Sequence, residues 1–180
     1  MKPIATTLLT LLLLAPSTAF SQTRNRSTSR QKPSTSSSTA AATQRIAQVR
    51  TQGATRVADQ IKFLTRFIYL LGGVTSGIAA VDEAERRKEA SPTVIQQNQQ
   101  SKAQVKTSIQ GFRESLDKLE IDFRATPELQ PYYIKLAGVA SGAATAEEQA
   151  ARNQFDAAGR SLLNVINRLT DVLLLMRTTE

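Results

Sequence analysis

Residues 151–176 read ARNQFDAAGRSLLNVINRLTDVLLLM. Within them Ala151, Phe155, Ala158, Leu162, Val165, Leu169, Val172 and Met176 alternate gaps of four and three residues without a slip. An α-helix turns once every 3.6 residues, so this spacing lines one face with apolar side chains. Ile166 and Leu173 widen the stripe to the breadth of a helix packed inside a bundle. Just upstream, Thr145 and Glu148 have the spacing of a capping box, in which each side chain satisfies the other residue's free backbone N–H. The pattern predicts one helix opening at 143–145 and running through Met176.

Working toward the N-terminus, the same spacing recurs. Ile95, Asn98, Lys102, Val105, Ile109, Phe112, Leu116, Leu119 and Phe123 form a second stripe, opened by Ser91 as cap and Pro92 in the first turn. Asn98 and Lys102 put polar groups on its inner face, so that end is expected to be wet, frayed or next to a partner. A shorter helix over 127–143 presents Leu129, Tyr133, Leu136 and Ala140, with Pro131 near the first turn. Before Ser91, residues 43–89 hold no proline and keep the register from Ile46 through Gly53, Val57, Ile61 and Leu64 to Ile78. Gly72, Gly73 and Gly77 interrupt it, each costing about 1 kcal/mol against alanine inside a helix. Because the register continues, a kink at Gly72-Gly73 is expected rather than a break. No segment alternates as a strand does. The fold class is therefore all-α: an antiparallel bundle of about four helices over 43–180, with turns at 90–92, 124–126 and 143–145.

One feature exceeds periodicity. LGGVTSG at 71–77 and LAGVASG at 136–142 share five of seven residues at an offset of 65. The likeness extends to Ala79/Ala144, Glu83/Glu148 and Arg87/Arg152, as a duplicated helical hairpin would show. Gly73 and Gly77, and Gly138 and Gly142, are each four apart, so one helix face lacks side chains and permits close backbone approach. These four glycines are the candidates for helix contact or an interface, and a side chain added at Gly77 is expected to push helices apart. Gly53, in the polar first third of the helix, is expected to be free of close contacts.

Composition restricts the chemistry. The 180 residues include no Cys, His or Trp. That removes disulfides, zinc fingers, imidazole bases and thiol nucleophiles. Glu114, Asp117 and Glu120 stand three apart among Arg113 and Lys118, a pattern read more simply as a solvated, ion-paired helix face than as a metal or hydrolytic site. A di-iron bundle also needs His. An enzyme would have to rest on Glu114, Asp117 or Tyr132/Tyr133. Phosphate loops, dinucleotide fingerprints and nucleophile elbows are missing, and no cofactor or metal is expected. The 15 uncharged residues 67–81 (FIYLLGGVTSGIAAV) fall short of a stable membrane span. They read as a buried helix centre, with a membrane-inserting segment as the alternative.

The N-terminal region is of another kind. Residues 1–21 resemble a secretory signal: Lys2, an apolar run from Ile4 to Leu14, Pro16, then small residues offering cuts after Ala19 or Ser21. Residues 22–42 hold ten Ser or Thr among 21 and bury no large apolar group, so they are expected to form a disordered arm. Arg24, Arg26, Arg30 and Lys32 give the arm +4 of the chain's net +8 and weak attraction to anionic surfaces. The functional expectation is an exported, non-enzymatic bundle, periplasmic or extracellular, that binds or scaffolds. Its partner would be a protein or envelope component or a second copy, not a specific nucleic acid. The alternatives are membrane action through 67–81 and, less simply, carboxylate catalysis.

Overall fold

The computed structural model describes residues 35–178, and every regular element among them is helical. α1 spans Thr35–Arg86, α2 Pro92–Ala125, α3 Gln130–Leu136, α4 Val139–Ala151 and α5 Phe155–Thr178. α1 and α4 each pack on both α2 and α5, while the short α3 links α2 to α5. This is the expected all-α helical bundle. One buried cluster fills its centre. Val57, Leu64, Leu71 and Ile78 of α1 meet Ile109, Leu116 and Phe123 of α2, and Leu162, Val165, Leu169 and Val172 of α5. The fourth wall is mostly alanine: Ala143, Ala146 and Ala150 let α4 approach closely. From Phe155 to Met176 and from Asn98 to Phe123 the apolar stripes fall where the spacing puts them, with Asn98 and Lys102 buried among them, but Ala151 is exposed at the end of α4 and not part of the α5 stripe.

The helix boundaries differ from expectation in three places. α1 begins at Thr35 rather than Thr43, so residues 35–42 belong to the helix and not to the arm. This Ser/Thr/Ala run holds no glycine or proline to stop a helix, and Thr43 Oγ1 donates to the Thr39 carbonyl one turn back at 3.0 Å. The leader expected at 1–21 and the remainder of the expected arm, 22–34, lie outside the described residues. α1 also runs unbroken through Gly72, Gly73 and Gly77.

The other two differences lie downstream. The helix expected over 127–143 stops at Leu136, and α4 restarts at Val139 with Gly138 between them at φ 93°. Only glycine enters that left-handed region freely, so Gly138 ends one helix and opens another. The turn expected at 143–145 is helical, and Thr145 lies inside α4, donating to the Ser141 carbonyl at 3.1 Å. The true turn is 152–154. Asn153 takes φ 60°, its N–H reaches Ala150 O at 2.9 Å, and Gln154 N–H reaches Gln149 O at 2.9 Å. Those two bonds make a Schellman C-cap, and asparagine tolerates the left-handed residue that such a cap requires.

The internal echo persists at the helix ends, though not at 71–77 and 136–142 themselves, which are unbroken helix in one copy and a turn at Gly138 in the other. α1 ends at Arg86 and α4 at Ala151, 65 residues apart. Lys88 takes φ 61°, and the N–H groups of Lys88 and Glu89 bond to Glu85 O and Ala84 O, each at 2.9 Å, the same cap as at Asn153. Glu83 pairs with Arg87 at 3.0 Å, as Glu148 does with Arg152 at 3.8 Å. The Arg86 guanidinium first, and Arg87 second, hold the Glu83 carboxyl below its ordinary range. The repeated unit is thus a hairpin, the C-terminal half of α1 with α2 and then α4 with α5.

The two hairpins are unequal in length, and this shapes one end of the bundle. α5 starts at Phe155, which lies beside Leu71 and Thr75, so beyond Thr75 α1 has α2 as its neighbour. Burial there narrows to Ile78 on α1 and to Asn98 and Lys102 on α2. Asp82 Oδ1 accepts from Asn98 Nδ2 at 2.6 Å and from Lys102 Nζ at 2.7 Å, and Asn98 also reaches the Ile78 carbonyl at 3.5 Å. The polar residues that marked this end as wet or partnered instead clasp the two helices together. Too little apolar area is available here for packing alone, and a charge-assisted pair supplies direction.

Candidate binding surface

α1 carries apolar residues on more faces than the bundle uses. Its inward side is the seven-residue repeat Val57, Leu64, Leu71 and Ile78, flanked by Phe67 toward α2 and Ile68 toward α5. Phe67 meets Phe112 at a ring-centroid distance of 5.0 Å, tilted by 59°, which closes the α2 side. A second series, Phe63, Arg66, Leu70, Gly73, Gly77, Ala80 and Ala84, repeats the four-and-three spacing on the outward side. There Phe63 is 59%, Leu70 56% and Tyr69 84% exposed. Between Phe67 and Val81 the strip holds no charge and is exposed, while Arg66 stands within it near its start and Ala84 at its end is half-buried. α1 is long and apolar enough to cross a membrane by composition, yet only 17% of its most apolar window is buried. The expectation that 67–81 is a buried helix centre therefore holds on one side of the helix alone.

The glycines divide accordingly. A Cβ built on Gly72, Gly73 or Gly77 meets nothing within 4 Å among the described residues, so no described helix packs against them in van der Waals contact. Close packing fails as the reason for Gly73 and Gly77, and a side chain at Gly77 has nothing to push against. Gly142 does make a close approach, since its Cβ would come within 2.8 Å of Val165 Cγ2 on α5. Gly138 serves the turn between α3 and α4. Gly53, expected to be unconstrained, is buried, and its Cβ would lie 2.8 Å from Leu129 Cδ2 and 3.1 Å from Met176 Cε. The chain crosses itself there, where α1 meets the end of α5 and the start of α3. Nothing local to Gly53 announces that crossing.

Small residues open a shallow furrow along the edge of the outward strip. Two concavities of 270 and 250 Å³ lie end to end between α1 and α2, sharing Val74 and Ser101. Gly77, Val81 and Leu70 form the α1 side, and Gln97, Gln104 and Ser108 the α2 side. The furrow has an apolar wall and a neutral polar wall, with no titratable lining.

The carboxylates singled out by spacing have separate structural partners. Glu114 accepts from Gln110 Nε2 at 3.0 Å. Asp117 accepts from Arg113 Nη1 at 3.1 Å, while Arg113 Nε lies 2.7 Å from Glu147 on α4. Glu120 Oε1 accepts from the N–H groups of Gly138 and Ala140, at 3.0 and 2.8 Å, and so caps α4 from α2. Arg168 of α5 binds the carbonyls of Ala137 and Gly138, at 3.1 and 3.3 Å, completing a clamp on the turn. Tyr132 is buried and accepts from Arg50 at 2.5 Å, and Tyr133 is half-buried. Among the described residues no three carboxylates converge as metal ligands would. Arg24, Arg26, Arg30 and Lys32 lie outside the described residues. The chain matches no known family model, no curated protein and no solved structure.

Proposed function

We propose that this is a non-enzymatic exported protein that binds or scaffolds in the cell envelope, with the outward face of α1 between Phe63 and Ala84 as its docking surface. The observation that carries this reading is the exposure of Phe63, Tyr69 and Leu70 beside Gly73 and Gly77, where an added Cβ would meet no described atom within 4 Å. A continuous apolar strip left in water costs roughly 25 cal/mol per Å² that a partner would recover, and such strips mark interaction sites. That Glu114 bonds to Gln110, Asp117 pairs with Arg113 and Glu120 caps α4 favours binding over hydrolysis. The leader-like residues 1–21 support export, and the basic arm supports a weaker attraction to anionic surfaces. Membrane action through 67–81 is the second reading, favoured by the apolar length of α1.

A photo-crosslinking phenylalanine analogue at Tyr69 in producing cells tests the choice. The expected result is an adduct with a polypeptide and none from the same probe at Asp171, which is exposed on a polar part of α5. Lipid adducts alone, with liposome binding that survives high salt, would transfer the role to the membrane. No adduct of either kind would contradict a docking surface here.

A further inference from the structure

We propose that residues 72–77 of α1 are a hinge, about which the two-helix tip of the bundle, residues 78–104, swings as one piece. The tip stands clear of the second hairpin. α5 begins at Phe155, beside Leu71 and Thr75. α4 starts against Glu120 and has Glu147 beside Arg113, so it ends at Ala151 one turn further along α2. From Ser76 to Arg86, α1 therefore extends roughly 16 Å with α2 as its neighbour, at 1.5 Å per residue.

Three glycines fall at that boundary. Each weakens a helix, and a Cβ at any of them would meet nothing within 4 Å among the described residues, so packing does not require glycine there. Two hydroxyls loosen the same turn. Thr75 Oγ1 and Ser76 Oγ both donate to the Gly72 carbonyl, at 3.1 and 3.0 Å. In an α-helix that oxygen belongs to the Ser76 N–H, so the backbone bond across the glycines is shared. Hydroxyls bonded back in this way weaken a helix slightly and let it bend. α2 carries back-bonded serines at the same level: Ser101 Oγ donates to Gln97 O at 3.1 Å, and Ser108 Oγ to Gln104 O at 2.9 Å. α1 stays helical throughout, so the glycines make bending easy rather than fix a bend.

The tip, by contrast, is tied within itself. Asp82 holds Asn98 and Lys102, Ile78 is buried, and the capped turn after Arg86 joins the two helices. A loose joint between two held pieces moves as a hinge. The furrow crosses this joint, with one concavity on either side and Val74 and Ser101 shared between them. Its shape changes with the hinge angle, and a molecule seated across both concavities would select one angle.

The chain lacks cysteine, so pairs of spin labels can be placed cleanly. Glu85→Cys with Asn167→Cys spans the hinge from exposed positions on α1 and α5. Thr65→Cys with Asn167→Cys lies wholly below the hinge, and Glu85→Cys with Gln96→Cys wholly within the tip. Dipolar spectroscopy on the full chain should give a broad or two-peaked distance for the spanning pair and a narrow one for each control. Gly72→Ala, Gly73→Ala and Gly77→Ala combined with Ser76→Ala should narrow the spanning distribution about two-fold, since alanine is the strongest helix former. A spanning distance as narrow as that between positions 65 and 167 would overturn the hinge. A breadth that the alanines leave unchanged would overturn its placement at the glycines. A broad distance between positions 85 and 96 would mean that the tip frays instead of swinging, and would overturn the proposal as well.

Discussion

Leu169→Asp is expected to prevent folding. Leu169 is fully buried at the centre of α5, within the cluster that joins all four long helices. The substitution removes a packed side chain, worth about 2–5 kcal/mol in such a core, and leaves a carboxylate with no cation beside it. The combined loss approaches the 5–15 kcal/mol that stabilises a typical domain. Far-UV circular dichroism and gel filtration should show an unfolded or aggregated chain. Asp171, two residues on, is exposed and faces away from the seam, so Asp171→Ser should stay within about 0.5 kcal/mol of the parent in urea denaturation. Equal losses at the two positions would contradict the assigned face of α5.

The clasp at the end of α1 and α2 should show an asymmetry of a different sort. Asp82→Ala strands the Lys102 ammonium, whose side chain is only 11% exposed, and removes the acceptor for Asn98 as well. Breaking one side of such a pair costs about 3–5 kcal/mol in full burial, and somewhat less here because Asp82 is partly solvated. Only two helices meet at this end, so the loss should appear first as faster amide exchange in residues 76–86 and 92–104. Lys102→Met removes the buried charge and leaves Asp82 with Asn98, and should be neutral or stabilising. A large loss from Lys102→Met would mean that the ion pair itself holds the helices together.

Periodicity revealed the elements and the core, because the forces that bury Leu162, Leu169 or Leu116 act on every turn and leave a regular trace. Boundaries were legible only where one residue dictates them. Ser91 and Pro92 mark a start unambiguously, and the Ser91 side chain does accept from Val94 N–H. Thr145 and Glu148 have the form of a start but lie inside α4, since a capping box works only if the residues before it leave the helix. Gly138 and Asn153 carried the real signal, a left-handed residue at each turn. Gly138 was masked by its resemblance to a close-packing motif, and Asn153 by an apolar stripe that runs on through Ala151.

The candidate surface was half legible. The uncharged run 67–81 and its glycines stood out in the sequence, but which side of α1 they face depends on where α5 begins, and that follows from the misread turn. The second series through Phe63, Leu70 and Gly77 was present all along at the same spacing as the first. A helix with two apolar series reads as deeply buried until the number of its neighbours is known. Along its apolar stretch α1 has two among the described residues, α2 and α5, and the outward series is left over.

Reactivity of single cysteines along α1 measures that surplus most directly. Maleimide labelling would be followed in protein diluted well below any self-association, with cysteine at Leu70, Gly73, Gly77 or Ala80 and, on the inward side, at Leu64, Leu71 or Ile78. The outward four are expected to react nearly as fast as in denaturant. The inward three should be slower by at least about a hundredfold, since they react only when the bundle opens. If Gly73→Cys and Gly77→Cys in the monomer are as slow as Leu71→Cys, the face is covered by the chain itself and there is no docking surface on α1.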